Sequence, residues 1–113
     1  MVSGMLRDKI KEFLLYGKLL DLNGFDIEEI PIDIIHKQKV KHLDISNNKI
    51  KNLTSENLPN VEILQCQMNG LKKIDAFPKL KELYCMRNNI SELPIFENLE
   101  ILLNWYLKNK NFI

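Results

Sequence analysis

The chain has 113 residues, of which 45% are hydrophobic, and its formal net charge at pH 7 is +1. This length fits one domain, residues 1–113, with a sizeable core. A charge near zero excludes the broad electrostatic field of a dedicated nucleic-acid or anionic-membrane binder. The two cysteines are too few for a disulfide framework, and residues 1–20 lack the uninterrupted apolar run of a signal peptide or membrane span. We therefore expect an intracellular, cytoplasmic protein that does not bind a membrane.

Residues 3–16 are predicted to form an amphipathic helix. Ser3 can cap its start, and Gly17 can end it in the left-handed conformation. We expect this helix to cover the core and the edge of the first repeat described below. A partner-binding or membrane-surface helix is the alternative, but the polar face is charge-balanced where a membrane-surface helix would be basic. The apolar face is formed by Leu6, Ile10, Phe13 and Leu14.

One pattern of aliphatic residues and an asparagine recurs along most of the chain. Its copies begin at residues 40, 61, 80 and 99, which are 21, 19 and 19 residues apart. A unit of this length cannot bury its own apolar face and must stack on copies of itself. The three clear copies comprise Val40, Leu43, Ile45, Asn48 and Ile50; then Val61, Leu64, Cys66, Asn69 and Leu71; then Leu80, Leu83, Cys85, Asn88 and Ile90.

The spacing within each copy predicts a short strand followed by a turn. Two apolar residues separated by one place their side chains on the same face of a strand. The turn after each strand leaves buried backbone groups that a carboxamide can satisfy, so Asn48, Asn69 and Asn88 are expected to form a buried ladder. When successive strands stack in parallel, the apolar residues form two columns, namely Leu43, Leu64 and Leu83, and Ile45, Cys66 and Cys85.

Cys66 and Cys85 occupy the same core position in adjacent copies, so their backbones are expected near disulfide range. Cysteine in such a position is more often a small buried hydrophobe than half of a disulfide or a metal ligand. We therefore expect two buried free thiols.

Degenerate copies of the same unit flank the clear ones. In residues 17–39, Phe25 takes the place of the ladder asparagine. In residues 99–113, Asn104 and Leu107 break the pattern, so the run that begins at Leu99 fits either a last strand or a closing helix. The apolar positions of the first copy are Leu20, Leu22, Ile27 and Ile30.

The three clear copies resemble the repeat of the leucine-rich repeat family. The resemblance implies an α/β fold, a right-handed solenoid with a concave parallel β-sheet. It divides the chain into the repeats 17–39, 40–60, 61–79 and 80–98 and a partial repeat or cap at 99–113. These units are short, which leaves room on the convex side only for turns or single-turn 3-10 segments. The family also implies that the concave sheet binds a protein or peptide partner.

In a solenoid of this type the outward strand positions form the concave surface. Here they change from polar and mildly acidic, with Asp21 and Asp44 as expected neighbours, to aromatic and thioether-rich. Tyr, Trp, Met and Arg are enriched at protein interfaces because they provide large contact areas. For Trp105 and Tyr106 the alternative is that both turn inward as a terminal cap. The predicted partner-binding residues are Met68, Tyr84, Met86, Arg87, Trp105 and Tyr106, with Asp44 and Gln65 toward the polar end.

The sequence offers little for catalysis or metal binding. His36 and His42 are not accompanied by a nucleophile elbow, a Gly-rich phosphate loop or a metal-ligand cluster. We therefore expect no enzyme activity, cofactor, metal or small-molecule substrate. Two alternatives remain: a homodimer formed through the C-terminal edge, and RNA binding, which is disfavoured because the lysines lack interleaved aromatic residues. Those lysines are Lys37, Lys39, Lys41, Lys49 and Lys51.

Overall fold

A computed structural model of the chain describes residues 3–103. Within this range it contains one α-helix, α1 (Gly4–Tyr16), and one parallel sheet whose strand order follows the chain. The strands therefore stack as a β-solenoid of about four turns, which confirms the predicted fold class. The boundaries between repeats stay a prediction. The five strands of this sheet are β1 (Leu19–Asp21), β2 (His42–Asp44), β3 (Ile63–Gln65), β4 (Glu82–Tyr84) and β5 (Ile101–Leu103).

The pairing register confirms the predicted column of leucines in the core. Leu43 pairs with Leu64, and Leu64 pairs with Leu83. Leu20 and Leu102 extend this column at its two ends. Burying one such side chain contributes about 1.5 to 3 kcal/mol relative to leaving it exposed. The second column is fully buried and consists of Leu22, Ile45, Cys66 and Cys85.

The ladder asparagines are buried and hydrogen-bonded as expected. Their exposed fractions are 7%, 6% and 7% for Asn48, Asn69 and Asn88. Asn69 donates from Nδ2 to the carbonyl oxygen of Ile45 at 2.9 Å, and its Oδ1 accepts the N–H of Ile50 at 2.9 Å. Each carboxamide thus connects its own turn to neighbouring turns, which satisfies backbone groups that are removed from water.

In the first repeat, the ring of Phe25 is partly buried against the core where later repeats carry the asparagine. Asn48 of the next repeat serves this turn instead, because its Oδ1 accepts the N–H groups of Phe25 and Ile27 at 3.0 and 3.2 Å. The end repeat therefore keeps its backbone satisfied without a ladder residue of its own.

Helix α1 caps the solenoid by packing against β1. Ser3 Oγ accepts the N–H of Leu6 at 3.1 Å, and Gly17 adopts the left-handed conformation with φ of 70°. The predicted apolar face is correct for Leu6, Ile10 and Phe13 but wrong for Leu14, which is 45% exposed. At 3.6 residues per turn Leu14 lies roughly 80° around the helix from Leu6, beyond the narrow stripe that contacts the core.

The connections between the described strands contain turns, bends and single-turn 3-10 segments but no α-helix, as predicted. Within residues 3–103 the helical ones are two 3-10 segments, Ile32–Ile34 and Lys37–Lys39. Pro31 precedes the first of them and, having no N–H, cannot continue regular pairing. At the end of this segment Ile35 is fully buried, while Ile34 is 38% exposed.

Cys66 and Cys85 are free and buried, as expected for small core residues. Burial raises the pKa of the Cys66 thiol well above its usual range and that of Cys85 to about 12. Both side chains are therefore protonated at neutral pH and pack as hydrophobes.

The last repeat begins as a strand and not as a helix. β5 continues the parallel pairing of β4, with Leu102 opposite Leu83 and partly buried against the core. The described part of the run after Leu99 therefore fits the strand alternative. The predictions that Trp105 and Tyr106 bind a partner or turn inward as a cap concern residues outside the described range.

Candidate interaction surface

One face of the sheet is directed away from the core. We call it the open sheet face and define it by the first and third residues of each strand, because the middle residue of each strand points inward. The pairing register arranges these residues in two rows across the five strands. One row is Leu19, His42, Ile63, Glu82 and Ile101, and the other is Asp21, Asp44, Gln65, Tyr84 and Leu103.

The chemistry of this face changes along the solenoid. Asp21 and Asp44 lie opposite each other at one end. At the other end, β5 presents Ile101 and Leu103, which are 43% and 38% exposed. Exposed aliphatic residues that are contiguous on one face indicate contact with another molecule more strongly than scattered ones do.

Hydrogen bonds order the polar end of the face. Asp44 Oδ1 accepts the N–H of Ser46 at 2.9 Å, and Oδ2 accepts from Asn23 Nδ2 at 3.4 Å. The Nδ2 of Asn47 donates to Asn23 Oδ1 at 3.1 Å. These bonds fix the orientation of the half-buried carboxylate of Asp44 on the face.

Two further hydrogen bonds lie in the middle of the face, one between strands and one within a strand. A ring nitrogen of His42 lies 2.8 Å from Gln65 Oε1 on the next strand. The hydroxyl of Tyr84 donates to Glu82 Oε1 at 2.8 Å within β4, and this bond raises the pKa of the phenol. The ring of Tyr84 is consequently held at the surface by its polar end, an arrangement that reduces the entropy lost on binding.

The turn residues that follow the strands border the face. Met68 and Arg87 are exposed and have φ of 59° and 57°, in the left-handed region that long side chains rarely adopt. Gly24 and Asn47 occupy the same position in the first two repeats. The left-handed conformation therefore belongs to the turn that every one of these repeats makes, and Met68 and Arg87 adopt it at a cost of about 1 to 3 kcal/mol each.

The structure brings six of the eight predicted binding residues to this one surface. Asp44, Gln65 and Tyr84 lie on the open sheet face, and Met68, Met86 and Arg87 lie in the turns beside it. Trp105 and Tyr106 lie outside the described residues. Whether a partner contacts any of the eight stays a prediction.

Ser46 follows the second core residue of its repeat, at a position where the strand alternation predicts an outward side chain, but it is buried, with 1% of its surface exposed. The chain turns directly after the strand, so a short side chain at this point is covered, whereas Gln67 and Met86 at the equivalent positions are half-buried. Within residues 3–103, Ser46 Oγ and Gln67 Oε1 are buried without a hydrogen-bond partner. The sequence carried no signal for these two atoms, because their isolation depends on side chains of neighbouring repeats.

Other kinds of site find little support in the part of the chain that the structure describes. Among residues 3–103 no group of three or more potential metal ligands is brought together. None of the helical segments in the same range has the length and apolar character needed to cross a membrane.

The leucine columns, the asparagine ladder and the parallel solenoid make the chain a member of the leucine-rich repeat family. It is similar to Toll-like receptor 2 of Boselaphus tragocamelus, with 35% identity over 106 aligned positions that include 85% of this chain. Toll-like receptor 2 of Ovis aries is 34% identical over the same share. Receptor-like protein 54 of Arabidopsis thaliana is 33% identical over 70% of the chain.

The chain spans 14% of the length of the Toll-like receptor 2 relatives and 10% of the plant relative. These relatives are themselves leucine-rich repeat proteins. No family model matches the chain, and no solved structure gives a significant match.

Proposed function

We propose that the chain is a protein-interaction module whose open sheet face binds a protein or peptide partner. The observation that carries this proposal is the ordered face itself, which presents aromatic and aliphatic side chains beside polar ones on a rigid parallel sheet. Sites on regular elements hold their side chains more precisely than sites on loops. The relatives that match this chain are named as receptors. This supports an interaction role and not a catalytic one.

The anchor residues on this face are those toward the C-terminal strands. Tyr84 is held by its bond to Glu82, and Met86 and Arg87 follow it in the chain. Tyrosine and arginine are the residue types that most often carry binding energy in protein interfaces. We therefore place the centre of the interface at β4.

Removal of two anchors tests this placement. In the Tyr84→Ala/Arg87→Ala variant, capture of the partner from an extract of the source cell is expected to fall at least tenfold, since truncated hot-spot residues cost about 2 kcal/mol or more. Quantitative mass spectrometry of the captured proteins measures this fall. The melting temperature is expected to change little, because both residues lie outside the buried core.

The matched control replaces two exposed residues outside the face. A Lys72→Ala/Lys73→Ala variant alters the turn between Leu71 and Ile74, where both lysines are exposed. The partner is the protein captured by the wild type and by this control but lost from the anchor variant. Equal capture by all three proteins would refute the placement on the open sheet face.

The comparisons do not favour self-association, which stays a second candidate because of one observation. β5 presents Ile101 and Leu103 with substantial exposure at the C-terminal end of the described sheet. If copies pair there, sedimentation velocity will show a dimer whose population rises with concentration and is lost on Leu103→Asp substitution. A monomer at all concentrations removes this candidate. RNA binding through the lysines is not favoured.

An intracellular location stays our proposal. Its support is that Cys66 and Cys85 are buried free thiols, which suits a reducing compartment. The matched relatives are named as receptors, but these names do not determine the location of this chain.

A further inference from the structure

The polar end of the open sheet face carries two carboxylates in direct register. Asp21 pairs with Asp44 across β1 and β2, and adjacent strands lie about 4.8 Å apart. Like charges placed directly opposite each other on a sheet are destabilising. No lysine or arginine occupies the outward positions of the first three strands, which are Leu19, Asp21, His42, Asp44, Ile63 and Gln65.

Unsatisfied polar atoms lie beside these carboxylates. Ser46 is 1% exposed, and its Oγ lacks a hydrogen-bond partner within residues 3–103. Its backbone N–H donates to Asp44 Oδ1 at 2.9 Å, which keeps the two residues together. Gln67, at the equivalent position one repeat later, has an unpartnered Oε1. Most buried polar atoms are paired, so these two atoms leave the polar end of the face incompletely hydrogen-bonded within the described residues.

The apolar end of the face lies at a defined distance from this charge. Tyr84 is two strands away from Asp44, and Leu103 is three strands away. With the usual strand spacing these separations are about 10 and 14 Å. An extended peptide advances about 3.3 Å per residue, so three or four residues cover the same distance.

We propose, resting on the function above, that the open sheet face binds a linear peptide segment with a basic residue and a large apolar residue three or four positions away. The lysine or arginine lies over Asp44, where it also reduces the repulsion between Asp44 and Asp21. The aromatic or aliphatic side chain packs on Tyr84 and Leu103. The segment crosses the strands along the solenoid axis, and the charge on the face selects its basic end.

A random library of 12-residue peptides displayed on phage tests this inference with the full chain as bait. The wild type is expected to enrich peptides in which arginine or lysine stands three or four positions from an aromatic or aliphatic residue. An Asp21→Asn/Asp44→Asn variant keeps Oδ1 as the acceptor of the backbone bonds to Asn23 and Ser46 but loses both charges. This variant is expected to retain the apolar preference and to lose the basic one.

An Asp33→Asn/Glu56→Gln variant is the matched control, because it removes the same charge from exposed positions outside the face. Its peptide preferences are expected to equal those of the wild type. For the most enriched peptide, resynthesised, the Asp21→Asn/Asp44→Asn variant is expected to bind about fivefold more weakly. The difference should shrink as salt is raised, since exposed charges are screened.

Three outcomes would overturn the inference. The first is that the peptides enriched by the wild type lack basic residues. The second is that the wild type and the Asp21→Asn/Asp44→Asn variant bind the resynthesised peptide with equal affinity. The third is that the wild type enriches peptides no more than a Tyr84→Ala/Leu103→Ala protein does. The proposed function fails separately, when partner capture survives loss of Tyr84 and Arg87. A partner that needs these anchors but ignores the two carboxylates refutes the basic segment alone.

Discussion

The ladder asparagines satisfy backbone N–H and C=O groups that the turns of the solenoid bury. Asn88 accepts three backbone N–H groups at Oδ1, those of Asn69, Gly70 and Leu71, at 2.9 to 3.1 Å. Its Nδ2 donates to the carbonyl oxygens of Cys66 and Cys85 at 2.9 and 3.1 Å. An aliphatic side chain could fill the same space but could satisfy none of these groups.

Asn88→Leu is therefore expected to destabilise the fold by about 3 kcal/mol or more, since each unsatisfied buried group costs about 1 to 3 kcal/mol. Urea denaturation followed by circular dichroism measures the free energy of unfolding. Asn89→Leu is the control, because the neighbouring carboxamide is exposed. A similar loss in both variants would mean that the ladder bonds do not stabilise the protein.

At the scale of one element, helix α1 closes the N-terminal end of the solenoid. Its first residue follows the capping Ser3, and its buried stripe, Leu6, Ile10 and Phe13, is at most 3% exposed. The helix buries the edge of β1 that no earlier strand covers, and such edges otherwise invite pairing with other chains. Its exposed side is mixed, because charged residues alternate there with Met5, Leu15 and Tyr16, which are 69% or more exposed.

Within this helix, Leu6→Ala is expected to cost about 2 to 5 kcal/mol, as other buried leucine truncations do. Leu14→Ala removes the same atoms from a side chain that is 45% exposed, and its cost is expected to stay below about 1 kcal/mol. The two urea midpoints report the difference. Equal midpoints would show that α1 does not pack on the first repeat in solution.

At the scale of the whole molecule, stability is distributed over neighbouring turns. Each strand bonds only to the strands before and after it, and the core columns run through all the repeats. Repeat proteins of this kind gain stability from interfaces between adjacent units. The two core thiols, Cys66 and Cys85, lie in the centre of this stack and make the stability of the whole chain depend on pH.

Burial raises the pKa of both thiols in the folded state, that of Cys85 from 9.0 to about 12. The protonated form is therefore favoured by folding, so this contribution is complete below pH 9 and is lost as the pH rises toward 12. Under reducing conditions, the free energy of unfolding should fall by up to about 1.4 kcal/mol per pH unit for each thiol.

A Cys66→Ala/Cys85→Ala variant is the reference for this measurement, because its other titrating groups are unchanged. Its stability will be lower at neutral pH, since truncation leaves a small cavity, but it should fall less steeply between pH 9 and 11. Parallel curves for the two proteins would contradict the burial of the thiols.

Part of the candidate surface could be predicted from the sequence. The outward positions of β4 follow from the alternation of a strand, so Tyr84 was placed correctly on the face. Met68 and Arg87 were placed beside it, but their left-handed backbone was not foreseen, because the pattern specifies spacing and not φ. The exposure of Leu14 and the burial of Ser46 were missed, since both depend on which neighbours cover a side chain.

The sequence by itself determined the parallel stacking, the leucine columns and the buried ladder. These features follow from the spacing within one repeat, because that spacing determines which side chains a strand or turn must bury. The same spacing recurs in successive repeats, so the same side chains are buried in each. Only the tertiary structure decided the surface. The register that brings Asp21 beside Asp44, the bond from Tyr84 to Glu82 and the isolation of Ser46 Oγ arise where side chains meet in space. Such encounters depend on packing geometry, which periodicity does not encode.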